Sequence, residues 1–170
     1  MGGKARDGRR ITHDEACRVV NDLNDNMFRK GFSAFDRNFI HMEAGSFRRL
    51  KKEIGDIDIV VISNDLPGLK TALASLLQEF SGGEKKFTGL FQGVQIDFVV
   101  SDALGYGAAM MHCTGPTELN VRQRAHAKRK GFLLNEKGLW KGDQRLPCSS
   151  SETAIYAELG LKWIEPENRG

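Results

Sequence analysis

Three aspartates on two segments rich in isoleucine and valine are the clearest candidates for chemistry. Asp56 and Asp58 are separated by one residue in Gly55-Asp56-Ile57-Asp58-Ile59, and Asp97 lies in Gln95-Ile96-Asp97-Phe98. Side chains of a β-strand alternate between its two faces, so Asp56 and Asp58 would share one face, about 7 Å apart. Asp97 can project towards them from a neighbouring strand.

Carboxylates in this arrangement are suited to divalent cations. Like charges disfavour joint ionisation, and a bound Mg²⁺ removes that conflict. Three carboxylates from two strands suit a two-metal site for phosphoryl transfer, in which one ion activates the attacking oxygen and the other holds the triphosphate. The pattern predicts two Mg²⁺ ions, with Mn²⁺ as a substitute, on Asp56, Asp58 and Asp97. The alternative is that Asp56 and Asp58 face solvent on an edge strand.

A second group of residues lies just upstream and has the equipment to bind phosphate. Gly45-Ser46-Phe47-Arg48-Arg49 forms a small turn before a predicted helix, and it offers backbone N–H groups, a hydroxyl and two guanidinium groups. A Gly-Ser turn is weak evidence alone. It becomes specific because Asp56-x-Asp58 follows seven residues after Arg49.

The elements that must position these residues predict an α+β fold, with helices and strands in the first part of the chain and mainly helices in a smaller second part. Thr12 and Glu15 form a capping box for a helix that ends before Gly31. The further predicted helices and strands are a strand at 39–44, a short basic helix at 47–52, a strand at 56–63, a turn at 66–68, a helix at 69–80, and strands at 87–91 and 94–101 joined by a hairpin at Gln92-Gly93. After a boundary near 103 we expect a helix at 117–130, a small irregular region and a helix at 151–159.

Composition is that of a globular protein of 170 residues, with 40% hydrophobic and 28% charged residues. We expect no membrane span and no secretion signal. Three widely spaced cysteines fit neither a disulfide framework nor a zinc site, so an intracellular reducing compartment is expected. Positive charge is clustered in two places, each of which could be a solvated face: Lys4, Arg6, Arg9 and Arg10, and Arg122, Arg124, Lys128, Arg129 and Lys130.

Taken in order, the motifs resemble those of DNA polymerase family X, the group that includes polymerase beta. The resemblance covers roughly residues 12 to 170. The matching motifs are Gly45-Ser46-x-Arg48-Arg49, Gly55-Asp56-x-Asp58, Ile96-Asp97, Thr114-Gly115, Asn120, Arg124-Ala125-His126-Ala127, Lys130-Gly131-Phe132, Asn135-Glu136 and Trp163-Ile164-Glu165-Pro166-Glu167-Asn168-Arg169. It implies a nucleotidyltransferase palm, a mixed sheet with helices, at 1–102, and a small α/β fingers subdomain that binds the nucleotide at 103–170.

The resemblance also implies a role for each matching residue. Asp56 and Asp58 would bind both metal ions, and Asp97 would bind the catalytic metal beside the primer 3′-hydroxyl. Nucleotide-binding positions would be Gly45, Ser46, Arg49, Gly55, His112, Gly115, Asn120 and Arg124. DNA-binding positions would be Arg122, Arg124, Lys128 and Arg129. The implied partners are gapped or primer–template DNA and deoxynucleoside triphosphates, and we expect a monomer.

Some positions depart from the family pattern. His112-Cys113 stands where an aromatic pair usually packs on the incoming sugar, and Gln95 stands where an arginine often precedes the third aspartate. The chain also begins where the palm begins, as in reduced viral members, so the expectation is short-gap synthesis without lyase activity. By analogy with a cis bond in the family, Gly115-Pro116 is predicted to be cis because X-Pro bonds adopt that form at low cost. The alternative is a trans proline at a helix N-terminus.

Two other functions are compatible with parts of the sequence. A nucleotidyltransferase acting on an RNA end, a small molecule or a protein would share the aspartates and the Gly-Ser turn, but the match from Thr114 to Arg169 favours the DNA polymerase. A catalytically inactive nucleic-acid-binding module is disfavoured by the intact set of three carboxylates.

Overall fold

The computed structural model describes residues 10–31 and 40–170. The chain divides into two compact units, residues 1–100 and 101–170. Both units combine helices with a β-sheet, so the predicted α+β class is confirmed. Within the described ranges, no helix is long and apolar enough to cross a membrane.

The first unit contains a five-stranded sheet among its described residues, in the order β2-β4-β7-β6-β5, and a separate pair of short strands, β1 and β3. In chain order its elements are β1 (Ile11–Thr12), α1 (His13–Arg29), β2 (Ile40–Glu43), α2 (Gly45–Arg48), β3 (Glu53–Ile54), β4 (Asp56–Ile62), α3 (Leu66–Leu76), β5 (Gln78–Gly82), β6 (Lys86–Phe91) and β7 (Val94–Ser101).

Helix α1 begins where the sequence predicts. The Thr12 hydroxyl accepts a hydrogen bond from the Glu15 amide at 3.2 Å, and the Glu15 carboxylate accepts one from the Thr12 amide at 2.8 Å, so the capping box is confirmed. The helix packs its apolar side into the core of the unit. Its buried residues there recur at helical spacing: Ala16, Val19, Val20, Leu23 and Met27.

The predicted boundaries of two helices in this unit are wrong at both ends, and the predicted turn at 66–68 is the first turn of the second helix. Helix α2 lies at Gly45–Arg48 instead of 47–52, because Leu50 adopts a left-handed conformation with φ 54° that ends it. Helix α3 begins at Leu66, because Asp65 caps it through the Gly68 amide at 2.9 Å and Pro67 fits its first turn. It ends before Phe80, which lies in β5 and stacks on Phe87 of β6.

The second unit, all of which is described, contains a three-stranded antiparallel sheet in the order β10-β9-β8. Its elements are α4 (Tyr106–Thr114), α5 (Thr117–Arg129), β8 (Leu133–Asn135), β9 (Gly138–Lys141), β10 (Gln144–Arg145), a 3₁₀ turn (Pro147–Ser150), α6 (Glu152–Glu158) and a second 3₁₀ turn (Pro166–Asn168). The predicted helices at 117–130 and 151–159 are present as α5 and α6. Helix α4 and the sheet were not predicted, and the region expected to be irregular is this sheet.

The C-terminal residues are packed into the second unit. The Arg169 side chain is buried and forms an ion pair with Glu152 at 2.7 Å. Its guanidinium carbon lies 4.7 Å from the ring centre of Trp163 and 5.6 Å from that of Tyr156. Removal of either partner would leave an uncompensated buried charge, so Glu152 and Arg169 depend on each other within the folded unit.

The predicted cis bond at Gly115-Pro116 is wrong, since no peptide bond of the described residues is cis. Gly115 and Pro116 are both extended, with ψ of 148° and 156°, and Pro116 is the residue that caps α5. The chain therefore passes from α4 to α5 through two extended residues. Proline is readily accommodated at a helix N-terminus, because its missing N–H is not needed there.

Two sequence expectations fall outside the described residues. The basic residues Lys4, Arg6 and Arg9 lie there, as does Phe39 at the start of the expected strand.

Candidate active site

The three aspartates project from two neighbouring strands of the first sheet. β4 carries Asp56 and Asp58, and β7, its neighbour in the sheet, carries Asp97. In β4 the alternating residues Ile57 and Ile59 are fully buried in the core, whereas the two aspartates are only partly buried. The alternation expected from sequence therefore places the carboxylates on the face away from that core.

The carboxylates affect one another electrostatically. Burial first, and then the negative charges of Asp56 and Asp97, together raise the pKa of Asp58 to about 7, against a smaller lowering by Arg49. Burial and the charge of Asp97 also raise the pKa of Asp56. Neighbouring negative charge thus makes ionisation of Asp56 and Asp58 less favourable, which is the condition that a divalent cation relieves.

Asp97 is held by two polar side chains. The Thr88 hydroxyl donates to its Oδ1 at 2.6 Å, and the Gln95 amide donates to Oδ1 and Oδ2 at 2.9 and 3.1 Å. Thr88 lies directly opposite Asp97 in the β6–β7 hairpin. The sequence analysis missed Thr88, although the predicted turn at Gln92-Gly93 fixes this pairing. Gln95 therefore orients the Asp97 carboxylate, and Gln95 itself occupies the position at which the family often has an arginine.

Gly45 fits against the carboxylate of Asp58. It has φ +60°, and a Cβ added there would lie 2.0 Å from Asp58 Oδ2. The residue before Gly45 also bonds to Asp58, since the Ala44 amide donates a hydrogen bond to the Asp58 backbone carbonyl at 2.8 Å. A glycine is needed both for the left-handed conformation and for the close approach. The start of α2, which carries Ser46, is thereby fixed next to the carboxylates.

The other predicted residues of this unit are half-buried around the same strands. Ser46 lies in α2, and Arg49 follows this helix. Gly55 precedes Asp56, and a Cβ added at Gly55 would meet no atom within 4 Å. The positive charge of Arg49 is near enough to Asp58 to favour its ionised form. The structure thus brings Gly45, Arg49 and Asp58 together as the sequence predicts.

The donor set suits a hard cation, since it consists of carboxylates, of which Asp56 and Asp58 have pKa values raised by burial and by neighbouring negative charge. Among the described residues, no three His, Cys, Asp or Glu side chains are yet clustered closely enough to hold a metal ion. What fits a divalent cation is the chemistry of the donor set, with three carboxylates on two adjacent strands.

The second unit brings together the predicted nucleotide-binding residues of α4 and α5. The Asn120 amide donates to the His112 carbonyl at 2.7 Å and to the Gly115 carbonyl at 3.5 Å. Arg124 Nη2 lies 3.2 Å from His112 Nδ1 and 3.7 Å from a Glu136 oxygen. Since a guanidinium only donates, His112 Nδ1 accepts and Nε2 carries the proton. Glu136 was expected only as part of a family motif, and its contact with Arg124 is a finding of the structure.

The basic helix α5 is exposed along the side that carries Arg122, Lys128 and Arg129. A cavity of about 320 Å³ opens beside Arg122 and Arg129, with Lys162 and His126 also in its lining. The His126 ring hydrogen-bonds to the Leu159 carbonyl at 2.9 Å, which joins α5 to the residue that follows α6. This side of the second unit is suited to anions.

Two family models match the chain. Residues 10–104 match the model of the DNA polymerase beta palm, and residues 109–170 match that of the DNA polymerase beta thumb. The chain belongs to DNA polymerase family X. It is an enzyme of the nucleotidyltransferase class. The second unit, named fingers above by resemblance, is the part that matches the polymerase beta thumb.

Several members of the family are similar to this chain. Repair DNA polymerase X of African swine fever virus, isolate Pretoriuskop from tick, is 28% identical over 173 residues, which cover 95% of this chain and 96% of the viral protein. The same protein from the Kenyan pig isolate is 30% identical over 139 residues, 75% of this chain and 80% of its own. DNA polymerase lambda of Rattus norvegicus is 25% identical over 193 residues, and the match covers 94% of this chain and 33% of that polymerase.

Proposed function

We propose that this protein fills short gaps in DNA by adding deoxynucleotides to a primer 3′-hydroxyl, with template direction. The observation that carries the proposal is the set of three coupled carboxylates on β4 and β7, with the pKa of Asp58 raised to about 7. Family membership supports the polymerase reaction, and the similarity to repair polymerases over nearly the whole chain supports the repair context. The proposed activity is synthesis without lyase activity on a 5′ sugar phosphate.

Asp56, Asp58 and Asp97 would hold two divalent ions, Mg²⁺ in the first instance and Mn²⁺ as a substitute. When bound, these ions supply the positive charge that activates the primer hydroxyl and stabilises the triphosphate. The residues of this chain prepare the site for them. Thr88 and Gln95 fix the orientation of Asp97, the carboxylate we assign to the primer side, and Gly45 allows α2 to lie against Asp58.

We assign the triphosphate to Ser46, Arg49 and the backbone at Gly45 and Gly55. The Arg49 guanidinium, close to Asp58, and the Ser46 hydroxyl, at the start of α2, are suitable hydrogen-bond donors to phosphate oxygens. The transferred group would then be oriented for in-line attack by positioning alone, since phosphoryl transfer depends mainly on positioning and charge stabilisation.

We assign the base and sugar of the nucleotide to His112, Gly115, Asn120 and Arg124. These residues already contact one another, so little ordering is needed when the nucleotide binds. Arg122, Arg124, Lys128 and Arg129 would contact DNA, because they lie on the exposed side of α5. Contacts to the phosphate backbone give affinity that falls as salt rises.

Primer extension on three substrates tests the proposal. One DNA carries a one-nucleotide gap, one is an open primer–template, and one is a single strand, each offered the four deoxynucleotides separately with Mg²⁺ or Mn²⁺. We expect extension with the complementary nucleotide, strongest on the gap, and none after chelation of the metal. Equal addition to the single strand would instead support a terminal transferase, and extension of none would contradict the polymerase assignment. A gapped substrate with a 5′ sugar phosphate tests the absence of lyase activity.

A further inference from the structure

The segment 45–52 carries three of the proposed triphosphate contacts, Gly45, Ser46 and Arg49, and its conformation is not stable by itself. Helix α2 has four residues, which is one turn, and isolated helices of this length are unstable in water. The turn that follows is also strained. Leu50 has φ 54° and is exposed, a conformation that favours glycine or asparagine. Contacts from outside the segment must therefore fix it.

The end of α2 forms a Schellman motif around the carbonyl groups of Ser46 and Phe47. The Leu50 amide donates to the Phe47 carbonyl at 3.0 Å, and the Lys51 amide donates to the Ser46 carbonyl at 3.1 Å. Any group that fixes the Phe47 carbonyl therefore also fixes the backbone on either side of it, which carries Ser46 and Arg49.

His13, the first residue of α1, contacts this segment at three points. Its Nε2 lies 3.3 Å from the Phe47 carbonyl oxygen, and its ring stacks on the Phe47 ring with centres 4.9 Å apart and planes within 3° of parallel. Its own amide donates to the Lys52 carbonyl at 3.1 Å. One residue of α1 thus holds both the middle and the end of the segment.

The tautomer of His13 is set by its neighbours. A carbonyl can only accept, so Nε2 must carry the proton, and Nδ1 is then free to accept from the Cys17 thiol, 3.4 Å away. Cys17 lies four residues later in α1, on the same side of the helix. The ring is therefore oriented from its own helix and aimed at Phe47.

We propose that His13 is a positioning residue for the triphosphate of the incoming nucleotide, acting through Phe47 on Ser46 and Arg49. This inference rests on the proposed function. Loss of the ring should loosen segment 45–52 without displacing the aspartates of β4, which are held by the sheet. The nucleotide should then bind more weakly while the chemical step is nearly preserved.

The experiment compares wild type with His13→Ala, His13→Gln and Phe47→Leu in primer extension on gapped DNA. For His13→Ala we expect the KM for the nucleotide to rise about three- to tenfold, which is the effect expected from the loss of one hydrogen bond. We expect kcat to change less than twofold. His13→Gln should recover part of the loss, because its amide can donate to the same carbonyl. A merely structural role would lower the active fraction, and hence kcat, with KM unchanged. Phe47→Leu should give a smaller rise, because it keeps the carbonyl and removes the stacking.

His41→Ala is the matched control. His41 also bonds to α1, through a hydrogen bond between its Nε2 and Asn24 Oδ1 at 2.9 Å, but it lies in β2, outside segment 45–52. We expect its KM to equal that of the wild type. Equal effects of the two alanine variants would overturn the inference, since the change would then reflect loss of α1 packing.

Amide hydrogen exchange separates this inference from the proposed function, because it needs no activity. In His13→Ala, exchange of the amides in 46–52 should be about three- to tenfold faster than in wild type, and unchanged in His41→Ala. Unchanged exchange overturns the inference even in an active polymerase, and so does faster exchange with an unchanged KM. A wild-type chain that extends no primer contradicts the proposed function instead.

Discussion

Gly45 gives the sharpest test of how α2 is placed against the aspartates. A Cβ at this position would lie 2.0 Å from Asp58 Oδ2 and 2.9 Å from its carboxyl carbon. Ordinary contacts between carbon and oxygen are about 3.3 Å, so in Gly45→Ala the carboxylate must move by more than about 1 Å. The φ of +60° adds a backbone cost of about 1–2 kcal/mol.

Two effects of different size should follow from Gly45→Ala. The free energy of unfolding should fall by about 1–2 kcal/mol, which for a chain of this length corresponds to a drop in Tm of about 2–8 °C. Primer extension should fall by about 100-fold, because a misplacement of about 1 Å in a catalytic group costs that much. Urea denaturation and single-nucleotide extension on gapped DNA measure the two quantities.

Gly93→Ala is the matched control for the backbone cost. Gly93 has φ +77° in the hairpin between β6 and β7, and an added Cβ meets no atom within 4 Å. We expect a similar loss of stability and unchanged extension. If Gly45→Ala extends primers within twofold of Gly93→Ala, the contact with Asp58 does not matter for catalysis and the reasoning is refuted.

Three further predictions concern pH, the strained turn and salt. Without divalent ions, the unfolding free energy should fall as the pH rises from about 4 to 7, because folding raises the pKa of Asp58 from 3.8 to about 7 and so favours its protonated form. In urea titrations at several pH values, Asp58→Asn should lessen this fall, and an unaltered dependence of the unfolding free energy on pH would contradict the shift. Leu50→Gly should raise the unfolding free energy by about 0.5–1 kcal/mol in urea, since relief of the left-handed strain exceeds the entropy cost of glycine, and a decrease would count against strain at this residue. Arg129→Ala should reduce the slope of log Kd for DNA against log salt by about one, as measured by fluorescence anisotropy, whereas an unchanged slope would remove Arg129 from the DNA contacts.

The sequence predicts much of the first unit because its signals are local. The capping box of Thr12 and Glu15, the alternation around Asp58 and the turn at Gln92-Gly93 each involve residues close in the chain. The hairpin turn even determines the pairing of Thr88 with Asp97, which was overlooked. The contact of His13 with Phe47 is different, since 34 residues separate the two and no periodicity indicates it.

The second unit was less predictable for physical reasons. Helix α4 is buried on nearly all sides, including Gly107, Ala108 and Met110, so it lacks the polar face on which a helical pattern depends. Strands β8, β9 and β10 have three, four and two residues, too few to show alternation. The cis bond at Pro116 was inferred from local cost and family likeness, but the start of α5 accommodates a trans proline.

The central claim is that Asp97 helps to activate the primer hydroxyl on gapped DNA. Single-turnover extension by Asp97→Asn, beside Asp143→Asn as an exposed control, tests it most directly. The account predicts that Asp97→Asn loses nearly all turnover, while the affinity for the nucleotide stays close to that of wild type and the control is unchanged. Extension by Asp97→Asn at a rate near that of wild type would contradict the assignment.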